Sequence, residues 1–79
     1  MQVVLIDNEK NLRDALRELL SSFLPDVDIL GEADGVTEGA KLINKVKPEL
    51  VFLDVEMDDG TGMDLLSLFP DRNFKVIFP

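Results

Sequence analysis

Cysteine, histidine, tryptophan and tyrosine are all absent from these 79 residues. Without cysteine there can be no disulfide and no thiolate metal site. Without histidine the chain lacks the commonest general base and the commonest zinc ligand. Basic residues are scarce, eight against sixteen acids, and the net charge of -8 repels phosphate backbones. Direct nucleic-acid binding by this segment is therefore not expected, and a cation or a positive partner suits it better. No apolar run approaches the roughly 20 residues that span a bilayer, so no membrane association is expected. Met1-Gln2-Val3 lacks the basic start of a signal peptide, and the expected location is cytoplasmic.

What is present is a pair of apolar runs that each end on an aspartate: Val3-Val4-Leu5-Ile6-Asp7 and Leu50-Val51-Phe52-Leu53-Asp54. Short uninterrupted runs of this kind, rich in β-branched residues, read as parallel strands covered on both faces. Between and after them lie helical patterns. Leu12, Ala15, Leu16, Leu19, Leu20 and Phe23 form one face of a helix of about three turns, ended by Pro25 and capped by Asn8 or Asn11. Val27 to Ala33 alternates and reads as a weaker strand nearer an edge. Asp34-Gly35 opens a second helix with Val36, Ala40, Ile43 and Val46 on its face, stopped by Pro48. A loop of acids and glycines, Glu56 to Gly62, leads to a third helix through Met63, Leu65, Leu66 and Phe69, closed by Pro70. Phe74 to Phe78 is a fourth strand.

The β-α-β-α-β-α-β alternation with right-handed crossovers predicts a single α/β domain: a flavodoxin-like, doubly wound parallel sheet of strand order 2-1-3-4. That order sets the strands ending in Asp7 and Asp54 side by side, about 4.8 Å apart. It does so at the carboxyl end of the sheet, where such folds bind ligands. Asn8, Glu9 and Glu56 add further oxygen donors. Clustered carboxylates repel one another unless a hard cation offsets them, and Mg²⁺ takes oxygen ligands completed by water. With no cysteine, histidine or nearby serine, the remaining nucleophile is a carboxylate, and Asp54 is the candidate to accept a phosphoryl group.

Competing motifs fail on register. An EF-hand starting at Asp54 needs glycine at position 59 and glutamate at 65, which hold Asp59 and Leu65. A dehalogenase-type phosphatase wants aspartate where Glu56 stands. Flavodoxin itself would need a hydroxyl-rich phosphate loop where Asp7-Asn8-Glu9-Lys10 lies, and no glycine-rich nucleotide fingerprint follows any strand. Gly60, Thr61 and Gly62 read as turn chemistry, and Asp58 and Asp59 as solvated charges. Met63, Leu65 and Leu66 read as core. Lys10, Arg13 and Arg17 read as the solvated face of the first helix.

Val3-Val4-Leu5-Ile6-Asp7-Asn8-Glu9, Val51-Phe52-Leu53-Asp54-Val55-Glu56-Met57 and Gly62-Met63-Asp64-Leu65-Leu66 together resemble the receiver domain of two-component response regulators. The Leu53-Asp54-Val55-Glu56-Met57 run is most similar to receivers that precede a LytTR-type DNA-binding domain. The resemblance implies a Mg²⁺-dependent phosphoacceptor, phosphorylated on Asp54 by a sensor histidine kinase: a signalling module with at most weak autocatalytic phosphotransfer, not a metabolic enzyme. It implies metal ligation by Asp7, Asn8, Asp54 and the backbone carbonyl of Glu56. Asn8 stands where the family usually has a second aspartate, so metal binding is expected to be weaker. Asp58 replaces the usual proline of the loop after the acceptor, and Pro79 arrives where the fourth strand leads into a threonine or serine. The 79 residues stop before the family's fifth strand, its lysine and its last two helices, so a partial receiver is expected. The alternative is a structural module that self-associates through the fourth strand or the face beside the first helix, without phosphotransfer.

Overall fold

The computed structural model describes residues 1–79. Its elements in chain order are β1 (Gln2–Ile6), α1 (Lys10–Phe23), β2 (Asp28–Ala33), α2 (Val36–Val46), β3 (Leu50–Leu53), β4 (Glu56–Met57), β5 (Gly60–Thr61), α3 (Gly62–Ser67) and β6 (Lys75–Ile77). The main sheet is parallel with order β2-β1-β3-β6. This is the expected 2-1-3-4 arrangement, with β6 as the fourth strand. β4 and β5 form a separate two-stranded antiparallel hairpin, where the sequence reading had only a loop. Asp58-Asp59 is its two-residue turn and Gly60 follows at φ +146°, a conformation that side chains rarely allow.

β1 is the centre of the sheet, and Val3, Val4, Leu5 and Ile6 are fully enclosed. Four consecutive buried apolar side chains require cover on both faces, which is why this run does not alternate. The two faces are nevertheless unequal. On one, Val4, Ile6, Val51 and Leu53 pack with Ile43 of α2, Leu65 and Leu66 of α3, Met57 of the hairpin and Ala33. α2 approaches β1 closely there: a Cβ on Gly39 would lie 3.0 Å from Ile6 Cδ1. An edge-to-face pair of Phe69 and Phe74, with ring centroids 5.7 Å apart, closes the base of this layer.

The other face carries α1 alone. Of the six residues on the apolar stripe of α1 only Leu20 is buried, while Leu12, Leu19 and Phe23 are exposed. Phe52 and Leu50 of β3 are half-exposed on this side, whereas Val51 and Leu53 are buried. The expectation that β3 is covered on both faces therefore fails for this face. A groove of about 310 Å³ runs between α1 and the sheet, lined by Leu5, Leu12, Leu16, Leu19 and Phe52 among others.

Local signals explain most helix ends. α1 stops ahead of Pro25, and α2 ends at Val46 with Lys47 in the left-handed conformation before Pro48. α3 opens with a reciprocal cap in which Thr61 Oγ1 accepts from the Asp64 amide at 3.0 Å and Asp64 Oδ2 accepts from the Thr61 amide at 2.9 Å. The start of α1 departs from expectation: neither Asn8 nor Asn11 caps it. Its cap position is Glu9, which has no side-chain cap bond, and the Glu9 amide is held by Asp7 Oδ1 at 2.8 Å. That bond is an Asx turn just ahead of the helix, and Asn11 already lies inside α1.

Candidate functional site

β1 and β3 are adjacent and in register, Ile6 opposite Leu53, so Asp7 and Asp54 leave the sheet side by side. Backbone bonds continue the ladder one step past the strands. The Asp54 amide donates to Ile6 O at 2.9 Å, and the Asp7 amide donates to Ala33 O at 3.0 Å. Both aspartates are half-buried, and both line the mouth of the groove beside α1. Asn8 and Glu9 stand exposed on the β1–α1 turn, and Glu56 is exposed at the start of β4. Asp7 is fixed by its bond to the Glu9 amide, whereas Asp54 Oδ1 accepts only a long bond from the Glu56 amide, at 3.4 Å. Of the two carboxylates, that of Asp54 is less restrained by hydrogen bonds.

The floor under Asp54 is a glycine. The Gly62 amide donates to Val55 O at 2.8 Å, and a Cβ at Gly62 would lie 2.6 Å from the backbone oxygen of Asp54. Close backbone approach, not a turn, is what requires glycine at this position.

Four residues depart from the sequence reading. Arg13, expected on a solvated helix face, is only 14% exposed at its side chain. Its Nε donates to Glu32 Oε1 at 2.9 Å and its Nη1 to the carbonyl oxygen of Asp7. Arg17 joins it, with Nε 2.8 Å and Nη2 2.6 Å from Glu32 Oε2. Burial pushes the Glu32 carboxyl up, but hydrogen bonds from Arg17 and Arg13, and then their charges, outweigh it and hold the carboxyl below the ordinary value of 4.5. Lys10, by contrast, does sit in solvent, paired with Asp14 at 2.7 Å. Asp59, expected to be a free charge, accepts from two amides of α2. Met63, expected in the core, is 64% exposed, while Leu65 and Leu66 are buried as expected. Met63 fails because Gly62, Leu65 and Leu66 form the buried side of α3 and Met63 lies off that side. The Asp-Gly pair at 59–60 would signal a turn one residue too late, since Asp58-Asp59 is the turn and Gly60 already pairs with Met57. Nothing local marks Arg13, which lies on α1 while its partner Glu32 lies on β2.

A doubly wound parallel sheet with paired aspartates at the carboxyl ends of its two central strands defines a class of acidic-site α/β domain. Comparison with known proteins narrows it. Residues 3–78 match the response regulator receiver domain. An uncharacterized response regulatory protein of Vibrio cholerae is 38% identical over 79 residues, covering 99% of this chain and 33% of that protein. The sensory transduction protein LytT of Bacillus anthracis is 35% identical over 68 residues, covering 86% of this chain and 27% of that one. Among solved structures, the response regulator domain of Thermotoga maritima CheB superposes with a TM-score of 0.87 at 25% identity, covering 96% of this chain and 57% of that chain. The chain belongs to the response regulator receiver domain family. It spans about a third of the length of the curated relatives it matches. The family is one of signalling modules, not of classical enzymes. No helix here is long and apolar enough to cross a membrane.

Proposed function

We propose that this chain is the phosphoacceptor module of a two-component phosphorelay in the cytoplasm, with Asp54 the residue phosphorylated by a sensor histidine kinase. The observation that supports it most is the register of β1 against β3, which brings Asp7 and the less restrained carboxylate of Asp54 to one mouth. A carboxylate oxygen of Asp54 attacks phosphorus, and the phosphorus–nitrogen bond of the donor phosphohistidine breaks. The imidazole, protonated on its other nitrogen, leaves as the neutral base with the bonding pair, and Asp54 becomes an acyl phosphate. Asp7 and Asn8 supply side-chain oxygens beside it, and Gly62 keeps the Asp54 backbone seated.

The donor set fits a hard cation. No three acidic side chains gather closely enough to hold a metal on their own. The ligands available to Mg²⁺ are the carboxylates of Asp7 and Asp54, the amide oxygen of Asn8 and the backbone carbonyl of Glu56, with water completing the shell. Such a mixed, partly aqueous set is what Mg²⁺ commonly takes. When bound, the ion would neutralise charge that develops on the transferring oxygens. Asn8→Asp adds a second full charge beside Asp7 and should tighten Mg²⁺ binding about tenfold. A metal titration followed by backbone amide shifts at residues 7, 8 and 54 measures this, and an unchanged affinity would remove Asn8 from the ligand set.

The direct test is the intact mass of the chain after incubation with Mg²⁺ and acetyl phosphate. One phosphate adduct is expected, and none in Asp54→Asn, whose fold should be unchanged. A folded chain that never gains phosphate would contradict the proposal.

One observation favours the alternative reading, a self-associating module. β6 pairs on one side only, with Ile77 and Phe78 more than 40% exposed, and the apolar groove beside α1 lies on the same molecule. Unpaired edges and uncovered apolar faces promote association. Sedimentation should show the chain associating at high micromolar concentration, and Ile77→Lys should weaken it. A folded wild-type monomer at those concentrations would count against association.

A further inference from the structure

α2 has no cap of its own. Its cap position is Gly35, and no side chain near it in sequence accepts from its first turn. The bonds come from the hairpin that follows the acceptor strand: Asp59 Oδ1 accepts from the Val36 amide at 2.7 Å, and Asp59 Oδ2 from the Thr37 amide at 3.0 Å. The fit is close, since a Cβ on Gly35 would lie 2.6 Å from Asp59 Oδ1. The Thr37 amide, and then the Val36 amide, hold the Asp59 carboxyl below the ordinary aspartate range, so it is charged at neutral pH and complements the positive end of the helix.

The other end of the same hairpin is tied to Asp54. At its entry the Glu56 amide makes a long bond to Asp54 Oδ1, at 3.4 Å. At its exit Gly62 bonds Val55 and abuts the Asp54 backbone oxygen. Between these ends the hairpin is short and stiff: two residue pairs, a two-residue turn, and Met57 anchored in the core. A phosphoryl group on Asp54 turns the carboxylate that the Glu56 amide meets at 3.4 Å into an acyl phosphate, with one oxygen bonded to phosphorus, and adds charge and bulk at the hairpin's entry, which perturbs that long contact. The perturbation has a direct mechanical route to Asp59 and from there to α2.

We propose that Asp59 is a positioning residue that couples Asp54 to the first turn of α2, so that phosphorylation of Asp54 is read out at Val36 and Thr37. This rests on Asp54 being the phosphoacceptor. It assigns the amino-terminal turn of α2 a role as a phosphorylation-sensitive surface, set by a carboxylate 23 residues away in sequence.

The test follows the amide resonances and hydrogen exchange of the full chain before and after treatment with Mg²⁺ and acetyl phosphate, with intact mass recorded in parallel. In the wild type, Val36 and Thr37 should shift and change protection on phosphorylation. In Asp59→Ala, exchange at both amides should rise about fivefold, the size expected for a lost cap. The phosphate adduct should still form, but its effect on Val36 and Thr37 should vanish. Asp59→Asn, which keeps one acceptor oxygen, should retain part of it. A merely structural cap would raise exchange equally in both states and leave the phosphorylation-dependent change intact, overturning the coupling. An adduct with silent Val36 and Thr37 in the wild type would also overturn it. No adduct at all would instead remove the phosphoacceptor reading, and the coupling with it.

Discussion

Gly62→Val should cost the chain about 2–3 kcal/mol of stability, and the molecules that still fold should take up little or no phosphate. A Cβ at this position would meet the Asp54 backbone oxygen at 2.6 Å, Phe78 Cε1 at 3.0 Å and Leu53 Cγ at 3.1 Å. The first contact is with backbone, which cannot swing aside as a side-chain tip can, so either α3 or the end of β3 must move. Forced overpacking of this kind typically costs about 1–3 kcal/mol, and valine adds two methyl groups to the Cβ. That is a large share of the stability available to a domain this small, which buries comparatively little of its surface. The functional loss has a separate origin. The displaced carbonyl belongs to Asp54 itself, and misplacement of a nucleophile by about 1 Å can cost a hundredfold in rate. Urea unfolding and phosphate uptake by mass read the two effects independently. Full stability with full uptake would show that α3 can retreat without disturbing Asp54.

Glu32→Gln is expected to release α1 from the sheet. The apolar stripe of α1 buries only Leu20, so its attachment depends unusually heavily on the carboxylate that Arg13 and Arg17 share. Hydrogen bonds between charged partners contribute about 1.5–3 kcal/mol, and the loss here should be about 2 kcal/mol. Removing the charge leaves Arg13, 14% exposed, without its counter-ion. The consequence reaches the site because Arg13 also donates to the Asp7 carbonyl. Faster exchange along α1 should therefore be accompanied by shifts at Asp7 and Glu9. The pH dependence follows from the same carboxyl. Its folded pKa is depressed, so its contribution is fully present above the unfolded value near 4.5 and is lost as pH falls through the folded value. Wild type and Glu32→Gln should differ in urea midpoint at pH 7, and the difference should shrink as the pH falls below 4.5. A difference that persists in acid would mean that the pair contributes through packing and not through charge.

Much of this arrangement was legible in the residues. The unbroken run Val3 to Ile6 marks a strand covered on both sides, Pro25 and Pro48 fix where two helices stop, and the alternation of elements leaves the strand order little freedom. Asp7 and Asp54 could be placed together because they occupy equivalent strand ends. What could not be read depends on partners distant in sequence. Periodicity identifies the apolar side of α1 but not how much of it a neighbour covers. Phe52 lies in a run that looks fully buried, yet it faces the thinly covered layer. Arg13 and Arg17 look like any solvated helix face until Glu32 of β2 is set beside them, and Asp59 looks like a turn charge until α2 arrives without a cap. Met63 shares the apolar character of Leu65 and Leu66 but lies off the side of α3 that Gly62, Leu65 and Leu66 bury.

The central claim is that Asp54, and no other of the sixteen acids, receives the phosphoryl group. Borohydride reduces an acyl phosphate to the alcohol, so a phosphorylated aspartate becomes homoserine and keeps a permanent mark. The full chain would be incubated with Mg²⁺ and acetyl phosphate, reduced, cleaved and mapped by peptide mass. Homoserine at position 54 alone is the predicted result. Homoserine at Asp7 or elsewhere, or none from a chain shown to be folded, would contradict it.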